Sequence, residues 1–260
     1  MTGKTLENQE TLIEFSRVTY RLQDPSSRVI VSDTNLSISH GETLVLLGRS
    51  GSGKTTLLRL INRMLFPTSG EVFVGGRSTT EWDPIRLRRS IGYVIQDSGL
   101  FPHFTVTENV SLVPKLENWG PARIAARVDE ILNLVGLDPA QYAKRRPREL
   151  SGGQRQRVGV ARALAADPSI LIMDEPFGAL DPVTRAELQQ EFRELARRLG
   201  KTIVFVTHDL REALFLASRI VLLQEGKIIA IAPPQEFLHL DHPEVKAFAT
   251  ALAVPPGAPA

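Results

Sequence analysis

A glycine-rich segment in the first quarter of the sequence carries the residue types needed to hold phosphate groups. It follows an apolar run at residues 44–47 and precedes a stretch, residues 54–64, in which leucine and isoleucine recur at helical spacing. The segment reads Gly48, Arg49, Ser50, Gly51, Ser52, Gly53, Lys54 and Thr55, which matches the pattern G-x-x-x-x-G-K-[ST]. Glycines let the backbone fold into a nest of N–H groups, and a helix N-terminus adds the positive end of its dipole. The segment therefore predicts a phosphate site.

The phosphates are expected to belong to ATP bound with Mg²⁺. We expect Lys54 to reach the β- and γ-phosphates and the Thr55 hydroxyl to ligate the magnesium ion. The nucleotide-binding residues predicted here are Gly48, Arg49, Ser50, Gly51, Ser52, Gly53, Lys54, Thr55 and Thr56. A glycine-rich turn without a ligand is the alternative, but the position between an apolar run and a helical pattern favours the phosphate site.

Two adjacent carboxylates end another apolar run. Residues 170–173 are followed by Asp174 and Glu175. Ligands of open α/β sheets bind at the carboxyl ends of the strands, so both side chains are expected near the nucleotide. We expect Asp174 to hold Mg²⁺ through its water shell, and Glu175 to orient and deprotonate an attacking water. The alternative is a solvated acidic pair that opens a turn before Pro176.

A second candidate anion site reads Leu150, Ser151, Gly152, Gly153 and Gln154. Ser151 suits the cap of the next helix, and the two glycines leave the first amides of that helix open to a phosphate. Ser151 can also serve as an ordinary helix cap. Because the chain already has one phosphate site, the second is expected to receive a nucleotide that another copy holds. Ser151, Gly152, Gly153 and Gln154 are therefore predicted to bind nucleotide across a dimer.

The elements that must position these residues follow from the apolar pattern. Residues 11–47 contain short β-type runs broken by turns, which predicts a β-rich opening. Two of these runs, residues 28–31 and 35–39, are expected as separate strands. Further buried-strand runs are expected at residues 91–95, 170–173, 203–206 and 220–223. Helical patterns separate them, so the sequence predicts a largely parallel sheet.

No strand pattern comparable to these occurs between residues 96 and 167. The chain there shows only helical patterns, such as the one that starts at Pro121 and ends at Gly136. We therefore expect a helical lobe, about residues 97–167, inserted into a domain that spans residues 11–240. Residues 241–260 are expected to hold the end of a helix, predicted at residues 235–251, and a disordered Pro/Ala/Gly-rich tail at residues 253–260.

Composition does not point to a charged partner. The chain has 31 Lys and Arg against 29 Asp and Glu, so neither nucleic acid nor anionic lipid is expected as the main partner. Cysteine is absent, which excludes disulfides and cysteine metal sites. The N-terminus is polar, and no run of about 18 apolar residues suggests a membrane span. A soluble chain in the cytoplasm is expected.

Together, these motifs resemble those of the ABC ATPase family, whose signature motif is the five-residue sequence from Leu150 to Gln154. The resemblance implies an α/β fold: a P-loop NTPase (RecA-like) core with an N-terminal antiparallel β subdomain and an inserted α-helical subdomain. It also implies a homodimer, or a pair with a related subunit, that closes around two ATP molecules. Further implied partners are transmembrane permease subunits and an extracytoplasmic substrate-binding protein, with this chain peripheral on the cytoplasmic face of the membrane.

The resemblance implies roles for four more residues. Gln96 matches the Q-loop glutamine, which touches Mg²⁺ or the attacking water. His208 matches the H-loop histidine, which contacts the γ-phosphate and holds Glu175 in position. Asp181 matches the D-loop aspartate that bridges the dimer, although it also suits a helix N-cap before a proline. Tyr20 is the candidate aromatic that stacks on adenine, with a strand aromatic in a β-meander as the alternative.

Residues 97–110 resemble more narrowly the ATPases of bacterial importers for quaternary-amine osmoprotectants such as glycine betaine, choline and carnitine. Here Leu100, Phe101 and Phe104 suggest a partner-binding patch, or else they pack inside the helical lobe. An importer ATPase for another small solute, such as an amino acid or other polar nutrient, is an alternative, as is a non-transport ABC-fold ATPase. Paired regulatory CBS domains, which many family members carry after the ATPase, are not expected in this chain.

Overall fold

The computed structural model describes residues 10–23, 25 and 27–253. Contacts divide the described chain into two units, of which one holds the residues up to Pro84 and from His208 onward, and the other holds Ile85–Thr207. The polar N-terminus before residue 10, two residues of an expected turn and the expected tail after residue 253 lie outside the described residues. The expected domain of residues 11–240, with its helical part at about 97–167, stays a prediction.

The strands follow the apolar runs of the sequence. In the described chain they are β1 Thr11–Arg21, β2 Val29–Ser39, β3 Thr43–Leu47, β4 Ser69–Val74, β5 Arg77–Ser78, β6 Ile91–Val94, β7 Ile170–Asp174, β8 Thr202–Thr207, β9 Arg219–Gln224 and β10 Lys227–Ala232. Residues of β3, β7 and β8 are almost all buried, as expected for strands covered on both faces.

Most of the described helices begin at a proline or directly follow a serine, threonine, aspartate or glycine N-cap, which are residues suited to a helix start. They are α1 Lys54–Ile61, α2 Pro84–Ser90, α3 Val106–Val110, α4 Leu112–Leu116, α5 Pro121–Leu134, α6 Pro139–Tyr142, α7 Gly152–Leu164, α8 Pro182–Leu199, α9 Leu210–Leu216, α10 Pro234–Phe237 and α11 Pro243–Ala253. A short 3₁₀ turn lies at Pro147–Glu149. None of the helices in the described residues is both long and apolar enough to span a membrane.

An antiparallel sheet with the strand order β2-β1-β4-β5 lies in the first unit. The expectation of two strands at residues 28–31 and 35–39 is wrong, because β2 is one continuous strand. Asp33, between the two runs, has a φ of 42°, and its backbone N–H donates to Thr19 Oγ1 at 3.0 Å. The pairing of β1 with β2 shifts register here, so β2 passes through an irregularity where an interruption between two strands was expected.

The first unit also contains β3, β9 and β10. Strand β3 pairs in parallel with β9, and β9 pairs antiparallel with β10. The chain leaves β3 directly into the glycine-rich segment and then forms α1. The strand, loop and helix that the phosphate site requires are therefore consecutive in this unit.

The second unit contains the parallel strands β6, β7 and β8 with β7 in the middle. Helix α7 packs closely on β6, since a Cβ at Gly92 would lie 2.5 Å from the carbonyl oxygen of Ala163. A cluster of three phenylalanine rings, Phe177, Phe192 and Phe205, has ring centroids 5.7 to 6.4 Å apart. Parallel pairing brings the carboxyl ends of the three strands to the same edge, where Glu175 follows β7.

Between β6 and β7 the described chain is helical, and the predicted fold class with an antiparallel sheet, a parallel sheet and helices is confirmed. The helix expected at residues 235–251 is wrong in one respect, because it is divided into α10 and α11. Pro243 starts the second helix, and the residue before a proline is disfavoured in helical conformation. The helical conformation is therefore interrupted between α10 and α11.

Candidate functional site

The glycine-rich segment forms a tight loop between β3 and α1. Gly53, the N-cap of α1, has a φ of 103° and a ψ of 1°, a conformation that residues with a side chain rarely adopt. At Gly48, a Cβ would lie 2.5 Å from the carbonyl oxygen of Leu223. Both ends of the loop therefore need a residue without a side chain, Gly48 for its close contact with another backbone segment and Gly53 for its conformation. The loop amides precede a helix N-terminus, which favours anions.

Lys54 is buried within the loop that it follows. Lys54 is only 5% exposed, and its Nζ donates to the carbonyl oxygens of Gly48 at 2.7 Å and Arg49 at 2.9 Å. The ammonium group is thus folded against the loop backbone, next to the amides that would surround a phosphate. Thr55 and Thr56 follow in the first turn of α1 and are half-buried.

A cavity of about 500 Å³ opens beside the loop. Its lining residues are Arg28, Val29, Ile30, Arg49, Ser50, Gly51, Ser52, Leu223, Gln224, Glu225, Gly226 and Glu244. Arg49 Nε lies 2.6 Å from Glu244 Oε1, and the Glu244 side chain is 11% exposed whereas that of Arg49 is 70% exposed. The cavity volume falls within the range of small-molecule sites. No sequence pattern links Glu244 to a loop 195 positions earlier, so sequence reasoning missed it.

The predicted acidic pair lies at the end of β7. Asp174 is the last residue of the strand and is 8% exposed. Glu175 is half-buried, has a φ of 45°, and donates its backbone N–H to the carbonyl oxygen of Val206 at 3.1 Å. The left-handed conformation turns the chain sharply after the strand. The two consecutive carboxylates are therefore held in different environments, one buried and one partly accessible.

Helix α7 begins with the predicted anion-site sequence. Ser151 Oγ accepts from the backbone N–H of Gln154 at 3.2 Å, and Gln154 Oε1 accepts from the backbone N–H of Ser151 at 2.9 Å. These two bonds form a capping box. A Cβ at Gly153 would lie 2.7 Å from Thr184 Cγ2, at the start of α8. Ser151 is thus a helix cap, which is the additional role that the sequence allows, and it remains exposed.

Asp181 caps α8, with its Oδ1 accepting from the backbone N–H of Thr184 at 3.0 Å. Hydrogen bonds from Thr184 hold the pKa of Asp181 below its usual range. The helix-cap role that the sequence allows is thus present in the structure, and the dimer-bridging role stays a prediction.

Gln96 is exposed and follows β6 by two residues. Past it, Phe101 and Phe104 are 47% and 37% exposed, and their ring centroids lie 5.2 Å apart. The rings are therefore on the surface of this unit and do not pack within its core.

Asn109, which sequence reasoning missed, is fully buried. It holds the backbone of Phe101 by accepting from its N–H at 2.8 Å and donating to its carbonyl oxygen at 3.2 Å.

His208 and Tyr20 lie in the same unit as the glycine-rich loop. His208 directly follows β8 and is exposed, and the next residue, Asp209, caps α9 by accepting from the backbone N–H of Arg211 at 2.7 Å. Tyr20 is half-buried in β1, opposite Val31 of β2. Tyr20 is thus a strand aromatic, which is a role that the sequence allows, and its stacking on adenine stays a prediction.

The predicted site residues divide between the two units. One unit holds Tyr20, Gly48, Arg49, Ser50, Gly51, Ser52, Gly53, Lys54, Thr55, Thr56 and His208. The other holds Gln96, Ser151, Gly152, Gly153, Gln154, Asp174, Glu175 and Asp181. The residues predicted to bind phosphate therefore lie in the first unit, and the strand-end carboxylates and the residues of the predicted second anion site lie in the other.

Three features of this chain are typical of an ATP-binding cassette. They are the glycine-rich loop after β3, the two carboxylates at the end of β7 and the capped, glycine-containing start of α7. The sequence pattern of the family described as ABC transporter matches residues 31–178. This chain belongs to that family. The ATP-binding cassette MJ0796, in a dimeric structure bound to ADP and phosphate, superposes with a TM-score of 0.77 at 35% identity, covering 86% of this chain and 99% of that one.

The named relatives narrow the resemblance. This chain is 54% identical over 208 residues to the glycine betaine/carnitine/choline transport ATP-binding protein OpuCA of Bacillus subtilis strain 168, covering 80% of this chain and 54% of the relative. It is 49% identical over 227 residues to the glycine betaine uptake system ATP-binding protein YehX of Escherichia coli strain K12, covering 87% and 72%. The resemblance to osmoprotectant-importer ATPases is thereby confirmed, although the chain spans only about half the length of the Bacillus relative.

Proposed function

We propose that this chain binds and hydrolyses ATP to drive a membrane importer of quaternary-amine osmoprotectants such as glycine betaine, choline or carnitine. The observation that carries the proposal is the buried Lys54 ammonium, held against the backbone of a glycine loop that precedes a helix. A buried cation next to a set of backbone amides is suited to a polyphosphate. The choice of transported solute is supported by the relatives, whose names state glycine betaine, carnitine and choline transport.

Phosphate binding is the role proposed for residues 48–56. The loop amides and Lys54 would hold the β- and γ-phosphates, and the loop carbonyls that Lys54 now contacts would give way to phosphate oxygens. The half-buried hydroxyl of Thr55 and the buried carboxylate of Asp174 provide oxygen donors of the kind that Mg²⁺ prefers, with Gln96 as a further oxygen donor. A bound magnesium ion would neutralise phosphate charge.

Water activation is the role proposed for Glu175. Its carboxylate would take a proton from a water whose oxygen attacks the γ-phosphorus, while the bond from that phosphorus to the bridging oxygen of ADP breaks. The bond from its backbone N–H to Val206 supports this role, because it fixes the residue at a strand end. His208 would contact the γ-phosphate and hold the Glu175 side chain, and Tyr20 would stack on adenine.

Pairing completes the proposed cycle. A second subunit would present Ser151, Gly152, Gly153 and Gln154 to the nucleotide, with Asp181 bridging the pair. The exposed start of α7 and the dimeric cassette that this fold resembles support that arrangement. Closure on ATP and reopening after hydrolysis would drive transmembrane permease subunits served by an extracytoplasmic binding protein. The chain would then lie peripherally on the cytoplasmic face of the membrane, with the exposed Phe101 and Phe104 facing its partner.

The catalytic assignment is tested by measuring phosphate release with Mg²⁺ and ATP. Glu175→Gln should lower turnover at least about 100-fold, because general-base catalysis contributes factors of that order, and it should retain ATP. Glu187→Gln is the matched control, since Glu187 is exposed on the outer part of α8. Normal turnover by Glu175→Gln would refute the general-base role.

The phosphate site is tested by nucleotide binding. Lys54→Ala should weaken ATP affinity at least about tenfold, since it removes a charge-assisted contact worth about 1.5–3 kcal/mol. Lys227→Ala, which changes an exposed lysine of β10, is the control. ATP affinity equal to that of the unaltered chain would contradict the phosphate role of Lys54.

The transport assignment is tested by extracting the Glu175→Gln chain from native membranes with ATP and identifying the proteins that co-purify. A multispan permease with a binding protein that takes up glycine betaine, choline or carnitine is expected. A binding protein selective for an amino acid would indicate the alternative importer. Ribosomal or DNA-maintenance proteins without a permease would overturn the transport assignment.

A further inference from the structure

The turn that follows Gln96 has a backbone that needs support. Asp97, Ser98 and Gly99 have φ values of 60°, 59° and 49°, three left-handed residues in succession. Left-handed conformations are unfavourable for residues with a side chain, and consecutive ones are rare. A turn of this kind persists only where the surrounding structure holds it.

Arg162 of α7 provides that support. Its two terminal nitrogens donate to the carbonyl oxygens of Gly99 at 2.7 Å and Ser98 at 2.8 Å. Ser98 is 4% exposed and packs against Gly159 of the same helix, where an added Cβ would already contact the Ser98 backbone and side chain at 3.4 to 3.5 Å. The guanidinium group therefore spans the middle of the turn from a rigid helix.

The positively charged guanidinium of Arg162 donates its hydrogen bonds to these carbonyl oxygens. Burial lowers the pKa of the Arg162 guanidinium, and among the described residues its hydrogen bonds go to these carbonyl oxygens and to no carboxylate. A half-buried cation without a carboxylate is unfavourable unless its donors are well used. Within the described part of the chain, two strong, directed bonds to the same turn compensate the guanidinium charge.

Helix α7 connects this contact to the second anion site. Its first turn carries Ser151 and Gln154, and Arg162 lies three turns later on the same continuous helix. We propose that Arg162 is a positioning residue that ties the turn after Gln96 to the signature helix, so that Gln96 and the Ser151 end of α7 move as one body. This inference rests on the proposed function, because it concerns how Gln96 is presented to the nucleotide.

The kinetic test compares two arginines of α7. Arg162→Lys keeps the charge but replaces the planar fork of two terminal nitrogens by a single ammonium on a shorter side chain, so the present geometry of the two bonds is lost. It should lower kcat for ATP about tenfold with the KM for ATP within about twofold, as misplacement of a reacting group does. Arg157→Lys is the matched control, since Arg157 donates to the carbonyl oxygen of Val135 and pairs with Glu191, away from the turn. Equal losses in the two variants would make Arg162 merely structural and overturn the inference.

A double-mutant cycle identifies Gln96 as the group through which Arg162 acts. In a Gln96→Ala background, Arg162→Lys should cause no further loss of kcat, because coupled residues are not additive. Independent, multiplying losses would overturn the inference. Gly99→Ala perturbs the turn directly, since its Cβ would lie 2.0 Å from Ile95 Cδ1, and it should reproduce the kcat loss even if Arg162→Lys fails to fold. Unchanged kcat in Gly99→Ala would count against the proposal.

Amide hydrogen exchange separates this inference from the proposed function. Arg162→Lys should speed exchange in residues 97–101 about tenfold, which reports easier local opening, whereas Arg157→Lys should not. If the unaltered chain fails to hydrolyse ATP, the proposed function is wrong, and the exchange result alone decides whether Arg162 holds the turn. Unchanged exchange at residues 97–101 in Arg162→Lys would overturn that role.

Discussion

Two glycines of the phosphate loop should respond very differently to the same substitution. Gly53 has a φ of 103°, and a Cβ there would lie 2.8 Å from the carbonyl oxygen of Ile30. Gly51 has a φ of 79°, but a Cβ there would meet nothing within 4 Å. Alanine at Gly51 thus tests backbone conformation alone, whereas alanine at Gly53 adds a collision with a backbone atom that cannot rotate away.

The expected losses in free energy of unfolding follow from the cost of the left-handed backbone and the cost of the collision. A left-handed residue with a side chain costs about 1–2 kcal/mol, and the loss of unfolded-chain entropy on replacing glycine offsets about 0.4–1 kcal/mol of it. Gly51→Ala should therefore lower the free energy of unfolding by about 1 kcal/mol. Overpacking costs about 1–3 kcal/mol, so Gly53→Ala should lower it by about 3 kcal/mol.

Urea-induced unfolding followed by circular dichroism measures both variants, and a titration with a fluorescent ATP analogue measures the loop. Gly53→Ala should unfold at the lower urea concentration and bind the analogue more weakly than Gly51→Ala, because the collision displaces the N-cap of α1. Equal urea midpoints for the two variants, or a larger loss in Gly51→Ala, would refute the reasoning from the loop geometry.

Two further substitutions probe the second unit. Asn109→Ala should lower the free energy of unfolding by about 2–4 kcal/mol, because it removes a fully buried amide side chain and leaves the backbone N–H and carbonyl of Phe101 without that partner. A change below about 0.5 kcal/mol in urea unfolding would contradict this. The hydrogen bond from Lys201 lowers the pKa of Asp167, so its contribution is present above the unfolded carboxyl pKa and is lost as pH falls through the folded value. Because that carboxylate is 64% exposed, Asp167→Asn should lose only about 0.5 kcal/mol at pH 7, and the difference in urea midpoint from the unaltered chain should shrink below about pH 4. A difference that grows on acidification would contradict that sign.

Local patterns were sufficient for the motifs and the elements beside them. The residues 44–54 read as strand, glycine loop and helix because each of those elements depends on neighbours in the sequence. The caps at Ser151 and Asp181 were predictable for the same reason, since each cap bonds to an amide three residues later. The single strand β2 was not predictable, because the acceptor of the bond from the Asp33 backbone N–H, Thr19, lies on another strand.

The sequence by itself determined the family, the phosphate loop, the pair of strand-end carboxylates and the glycine helix start, because chemistry at these places depends on residue types at short spacing. Only the tertiary structure decided that Glu244 faces Arg49 across 195 positions and that Arg162 holds the turn after Gln96. The physical reason is the same in both cases. An ion pair or a carbonyl contact between distant segments is set by how helices and strands pack, and no local pattern in the chain records that packing.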